Sequence, residues 1–108
     1  MTWADARKDA EQMLRAISLQ IDHAVAAGKT ITLLFFETQE TLDLFQPESR
    51  WTLAYHQQVT GAARRLLLKQ KTDVRLAKIT VADYRTWLAG RDDTLQARAA
   101  FLAERTRD

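Results

Sequence analysis

The 108 residues contain no cysteine, so disulfides, thiolate chemistry and cysteine-ligated zinc are all excluded. That suits a reducing compartment, although exported chains also do without cysteine. A single proline and 3 glycines argue against long linkers or low-complexity disorder. Long apolar runs are missing as well: Leu33 to Phe36 is far below the ~20 residues that a bilayer span needs. The start, Met1-Thr2-Trp3-Ala4-Asp5-Ala6-Arg7-Lys8-Asp9, has no apolar stretch of signal-peptide length. A soluble, cytoplasmic protein with no membrane segment is expected. Charge of one sign is not in large excess either, with 16 Lys+Arg against 14 Asp+Glu and a formal charge of +2. On its own, that balance is weak support for a nucleic-acid partner.

Hydrophobic residues at 46% and charged residues at 28% are ordinary for a globular chain. The length sets one domain, residues 1–108, which buries roughly two-thirds of its unfolded surface. That is enough for a core but not for a core plus a deep substrate cleft.

Two short strands stand out. Thr30-Ile31-Thr32-Leu33-Leu34-Phe35-Phe36 lies between helical stretches, and Asp73-Val74-Arg75-Leu76-Ala77-Lys78-Ile79 follows only after a long helix-patterned segment. Such a separation is too long for a hairpin and predicts a right-handed crossover between parallel strands. Leu33, Leu34, Phe35 and Phe36 place apolar groups on both faces, as in a strand covered by helices on both sides.

The first helix is predicted from about Trp3 to Ala27, started by Thr2 with Asp5 as a variant capping box and stopped by Gly28. Its apolar stripe is Ala10, Leu14, Ile17, Ile21 and Ala24, widened by Met13 and Val25. A short helical turn is predicted from Thr41 to Phe45. Pro47 suits the first turn of the crossover helix, which runs to about Gln70 on Trp51, Tyr55, Val59, Ala62, Ala63, Leu66 and Leu67. Gly61 inside it costs about 1 kcal/mol relative to Ala, which close approach to a neighbour would offset. Thr80 with Asp83 repeats the capping pattern before a helix ending at Gly90, and Asp92 or Asp93 can cap a last helix from Thr94 to about Arg105. The expected fold is a small α/β domain in the order α-β-α-β-α-α, with one parallel βαβ unit flanked by helices.

No chemistry-bearing motif rises above background. His23 follows Asp22, but adjacent helix residues point about 100° apart. His56 has Thr52 and Thr60 one turn away, neither a metal ligand, so both histidines are expected as surface or half-buried polar residues. Ser18 and Ser49 lack a nucleophile elbow. Gly28, Gly61 and Gly90 are too far apart for a phosphate loop. No catalytic residue, metal ligand or cofactor is assigned.

Charge is regional. Glu37, Glu40, Asp43 and Glu48 form a stretch with no base, while Arg64, Arg65, Lys69, Lys71, Arg75 and Lys78 are opposed only by Asp73. Placing the two stretches at opposite edges of the sheet predicts a polarised surface. Among the aromatics, Trp3 stands apart because the extreme N-terminus offers it the fewest intramolecular partners, and Trp is enriched at interfaces. The leading expectation is a non-enzymatic interaction protein, a regulator or inhibitor that binds a protein partner through Trp3, Glu37, Glu40 and Asp43. The alternative is a nucleic-acid-binding regulator that uses the six basic residues from Arg64 to Lys78. An enzyme built around His56 and Tyr55 has the least support. A two-stranded sheet leaves both edges open, so a homodimer is expected, paired through a strand edge or the first helix's stripe.

Overall fold

The two apolar segments form strands β1 (Ile31–Phe36) and β2 (Val74–Ile79), paired in parallel with Ile31 opposite Val74 and Phe36 opposite Ile79. The computed structural model describes residues 3–107. Six helices accompany the strands among those residues: α1 (Trp3–Ala16), α2 (Ser18–Ala26), α3 (Gln39–Phe45), α4 (Leu53–Lys69), α5 (Val81–Leu88) and α6 (Leu95–Arg105). The mixed α/β order and the parallel βαβ unit are those expected from the sequence.

Local signals placed several boundaries differently. The first helix breaks at Ile17, whose amide turns back to the Leu14 carbonyl at 3.3 Å. No proline or glycine marks that break. The crossover helix begins at Leu53 and not near Pro47, because the Thr52 hydroxyl accepts from the Tyr55 amide at 3.1 Å and caps it there. Pro47 sits instead in a turn closed by the Ser49 amide on the Gln46 carbonyl. Thr94, not Asp92 or Asp93, caps α6 by accepting from the Ala97 amide. The capping box placed at Thr2 lies outside the described residues.

Alternation along β1 and β2 divides the core in two. Ile31, Leu33, Val74 and Leu76 meet α1, α2 and α4 on one face, packed with Leu14, Ile21, Val59 and Leu67. Ala6 and Ala10 of α1 and Ala62 and Ala63 of α4 are all buried, and their small side chains let the two helices approach closely. Leu34, Phe36 and Ile79 face the other way, toward Leu42, Tyr84, Leu88 and Phe101 of α3, α5 and α6. Here the rings are continuous: Phe45 lies 5.2 Å from Tyr84 and 5.8 Å from Phe101, and Trp87 lies 5.6 Å from Phe101. Phe36 is fully buried, whereas its neighbour Phe35 is only half-buried.

The pairing also settles which backbone groups face outward. In a parallel ladder the N–H and C=O of one residue point to the same side, and successive residues alternate. The Ile31 amide donates to the Asp73 carbonyl, so Thr32, Leu34 and Phe36 turn toward the outer edge of β1. That edge is covered. Gln57 of α4 donates from Nε2 to the Phe36 carbonyl at 2.8 Å, and the Thr60 hydroxyl donates to the Leu34 carbonyl at 3.5 Å.

Gly61 and Ala89 do not suit their backbone positions. A Cβ added at Gly61 would meet nothing within 4 Å, so the close approach expected there does not occur. Ala89, in contrast, holds the left-handed conformation at φ 50 where a glycine would be unstrained. Gly61→Ala and Ala89→Gly are each expected to stabilise the fold by roughly 0.5–1 kcal/mol, measured by urea unfolding. Truncating Phe36 to Ala is expected to cost about 3–5 kcal/mol in the same assay, and truncating Phe35 distinctly less.

Candidate interaction surfaces

The acidic and basic stretches are less segregated than the sequence implies. Parallel strands bring their C-terminal ends together, so Lys78 lies beside Glu37 with Nζ 3.3 Å from its carboxylate. Arg85 reaches Glu40 at 3.8 Å, and Asp43 accepts from Gln39 at 2.8 Å. Each of the three acidic candidates therefore has an intramolecular partner. Gln39 also accepts from the Leu53 amide through Oε1, which ties α3 to the start of α4.

The basic candidates divide the same way. Arg75 donates to the Thr32 hydroxyl at 3.2 Å and to the Arg107 carbonyl at 3.1 Å, holding the segment after α6 against the sheet. With Lys78 bound to Glu37, neither it nor Arg75 is free for phosphate contacts. Arg64, Arg65, Lys69 and Lys71 are different. All four are exposed at the C-terminal end of α4 and just beyond it, and among the described residues none forms an ion pair.

Trp3 stands in that neighbourhood. Close packing of α1 on α4 places its indole, 48% exposed, against the Arg65 guanidinium at 4.7 Å from the ring centroid. Trp3, Arg7, Ala62, Arg65, Leu66 and Lys69 line a groove of about 200 Å³. Residues assigned separately from the sequence, Trp3 to a protein partner and Arg65 and Lys69 to nucleic acid, thus form one surface. Glu37, Glu40 and Asp43 lie at the other end of the strands. Arg7 was missed in the sequence, although its spacing of one helical turn from Trp3 puts both on one face of α1. Leu68, 47% exposed, sits one turn from Arg64 on the same stretch of α4.

The remaining ionisable groups serve the fold. His23 is exposed on α2. His56 is not the surface or half-buried residue expected: it is 8% exposed, edge-on to Phe36 at 5.1 Å and to Trp51 at 5.9 Å. Its Nδ1 has no hydrogen-bond partner, and burial lowers its pKa. Asp93 accepts from the Tyr84 hydroxyl at 2.6 Å and from both Nε and Nη2 of Arg98 at 2.9 Å. Arg98 donates onward to the Leu44 carbonyl, so the cluster fastens α3, α5 and α6 together. The Arg98 and Tyr84 hydrogen bonds hold the Asp93 carboxyl at about 2. Among the described residues no group of His, Asp and Glu gathers closely enough to hold a metal ion. No described helix is long and apolar enough to cross a membrane. Protein-family models, curated proteins and solved structures were all compared with the chain, and none matches it.

Two pH windows follow from these groups. An unfolded chain protonates His56 near its ordinary value of 6.5, while the folded chain resists protonation. Stability should therefore decline as pH falls below that value, and His56→Phe should flatten the decline. Asp93 stays ionised in the folded chain down to about 2 but titrates near 3.8 when unfolded. Its contribution is present above 3.8 and lost as pH falls toward 2. Asp93→Asn should remove that second decline, and urea midpoints taken across the acid range will separate the two.

Proposed function

We propose that this chain is a small non-enzymatic binding protein, a regulator or inhibitor, that docks an acidic protein partner on its α1–α4 face. One observation carries the proposal: the exposed Trp3 lies in the same groove as Arg65 and Lys69, cations that no carboxylate of the described residues neutralises. Trp and Arg are the residue types that most often dominate binding energy at protein interfaces. The stacked guanidinium restrains the indole before a partner arrives, which lowers the entropy lost on binding. Arg64 and Lys71 extend the positive field beyond the groove, and Leu68 adds apolar area. A carboxylate-bearing surface is the complement to this combination. Glu37, Glu40 and Asp43, each with a partner inside the chain, are left out of the docking surface.

Those same free cations support a second reading, contact with a nucleic-acid backbone. With Arg75 and Lys78 engaged internally, only Arg64, Arg65, Lys69 and Lys71 remain for it. Each phosphate neutralised contributes a slope of about −0.9 in log K against log[salt], so duplex binding would show a shallow dependence and no sequence preference.

Affinity capture from the native host, with and without nuclease, tests the proposal. The wild-type chain should retain a protein in stoichiometric amount whether or not nuclease is added. Trp3→Ala should weaken that binding by roughly 30-fold or more, equivalent to about 2 kcal/mol for an anchor residue. Charge reversal at Arg65 and Lys69 should abolish it without disturbing folding, because exposed charges contribute under about 1 kcal/mol each. Recovery that disappears with nuclease would replace the protein partner with the nucleic-acid reading.

A further inference from the structure

The second strand presents an edge that nothing among the described residues closes. Since Asp73 turns its carbonyl toward Ile31, the outward-facing residues of β2 are Val74, Leu76 and Lys78. Among the described residues, no side chain reaches their backbone N–H and C=O groups as Gln57 and Thr60 reach those of β1. A strand edge is one of the two routes to self-association suggested by the sequence, and the β2 edge is the one left open. The β1 edge is occupied by α4, and the buried stripe of α1 is packed against α4.

We infer that the free edge of β2 pairs antiparallel with the same edge of a second copy about a two-fold axis at Leu76, giving a continuous four-stranded sheet. The pattern is self-complementary. In that register Leu76 faces its own copy, Val74 faces Lys78, and every outward donor and acceptor of the three residues finds a partner across the axis. Charges do not oppose it. Lys78 lies across Val74, Arg75 lies across Ala77, and no two like charges stand directly opposite. Lysine on an edge strand ordinarily discourages pairing, but the ammonium of Lys78 is held 3.3 Å from Glu37, just past the end of β1. Arg75, the other charge on β2, is turned to the Arg107 carbonyl. The half-buried Leu76 and Val74 would gain burial at the axis.

Sedimentation equilibrium and amide hydrogen exchange on the full chain at micromolar concentration test the inference. The expected mass is about twice 12.4 kDa. The Val74, Leu76 and Lys78 amides should become protected as concentration rises, while those of Arg75, Ala77 and Ile79, which face β1, stay protected throughout. Lys78→Pro removes one outward donor and leaves the bonds to β1 intact, so it should weaken association roughly tenfold or more. A monomer at every concentration, a dimer in which the three outward amides exchange as fast as in dilute protein, or undiminished association of a folded Lys78→Pro variant would each overturn it. Should that variant fail to fold, the exchange pattern of the wild-type chain decides the question alone.

Discussion

A two-stranded parallel sheet has two faces and two edges to protect, and in this chain one helix protects most of what would otherwise be open. The α4 helix closes the crossover between the strands and lays Val59 and Leu67 on one face. It also turns Gln57 and Thr60 to the outer carbonyls of β1. Its other side receives α1 through the alanine seam of Ala6, Ala10, Ala62 and Ala63. Without that helix in place, β1 would be an apolar strand with an unpaired edge, the kind of segment that aggregates. The layer of α3, α5 and α6 depends on it less directly, through the Leu53 amide at the start of α4, which donates to Gln39 of α3, and through the ring of His56 against Phe36.

Much of this was legible in the residues themselves. Apolar groups on both faces of Leu33 to Phe36 call for cover on both sides, and the long helical interval demands a parallel crossover. Both features arise from patterns spread over many positions. Boundaries depended on single side chains competing to cap, as where Thr52 and Thr94 prevailed over Pro47 and the Asp92–Asp93 pair. The break at Ile17 has no sequence signal at all, since the apolar spacing continues across it. Gly61 shows the reverse: a residue that implied a tight contact sits over open space.

The charges were the least legible part, for a geometric reason. Residues close in sequence need not share a surface, and parallel pairing joins ends that are distant along the chain. Lys78 and Glu37 belong to stretches of opposite sign that looked segregated, yet register brings them within an ion-pair distance. Arg75, on the alternate face, was captured by the residues that follow α6. Such captures depend on tertiary neighbours that no local window contains. What survived was the part of the basic stretch on α4 itself, where helical spacing alone keeps Arg64, Arg65, Leu68 and Lys69 on adjoining faces.

The position of Trp3 is set by contacts some distance from it. The Tyr55 hydroxyl of α4 donates to the Asp9 carboxylate of α1, and that hydrogen bond with its negative neighbour pushes the tyrosine pKa up to about 12. An unfolded chain ionises this phenol near 10, so the tie is intact below that value and is lost only as pH rises toward 12. Throughout the neutral range α1 is therefore held on α4 both by the buried alanines and by this polar contact. With the helix so placed, its first residue lands beside Arg65 whether or not a ligand is present. Packing needs only small residues at this crossing, and a lysine or glutamate at position 3 would satisfy it with less exposed apolar area. A half-exposed indole therefore adds little that the fold itself requires, which is consistent with the docking role proposed for it.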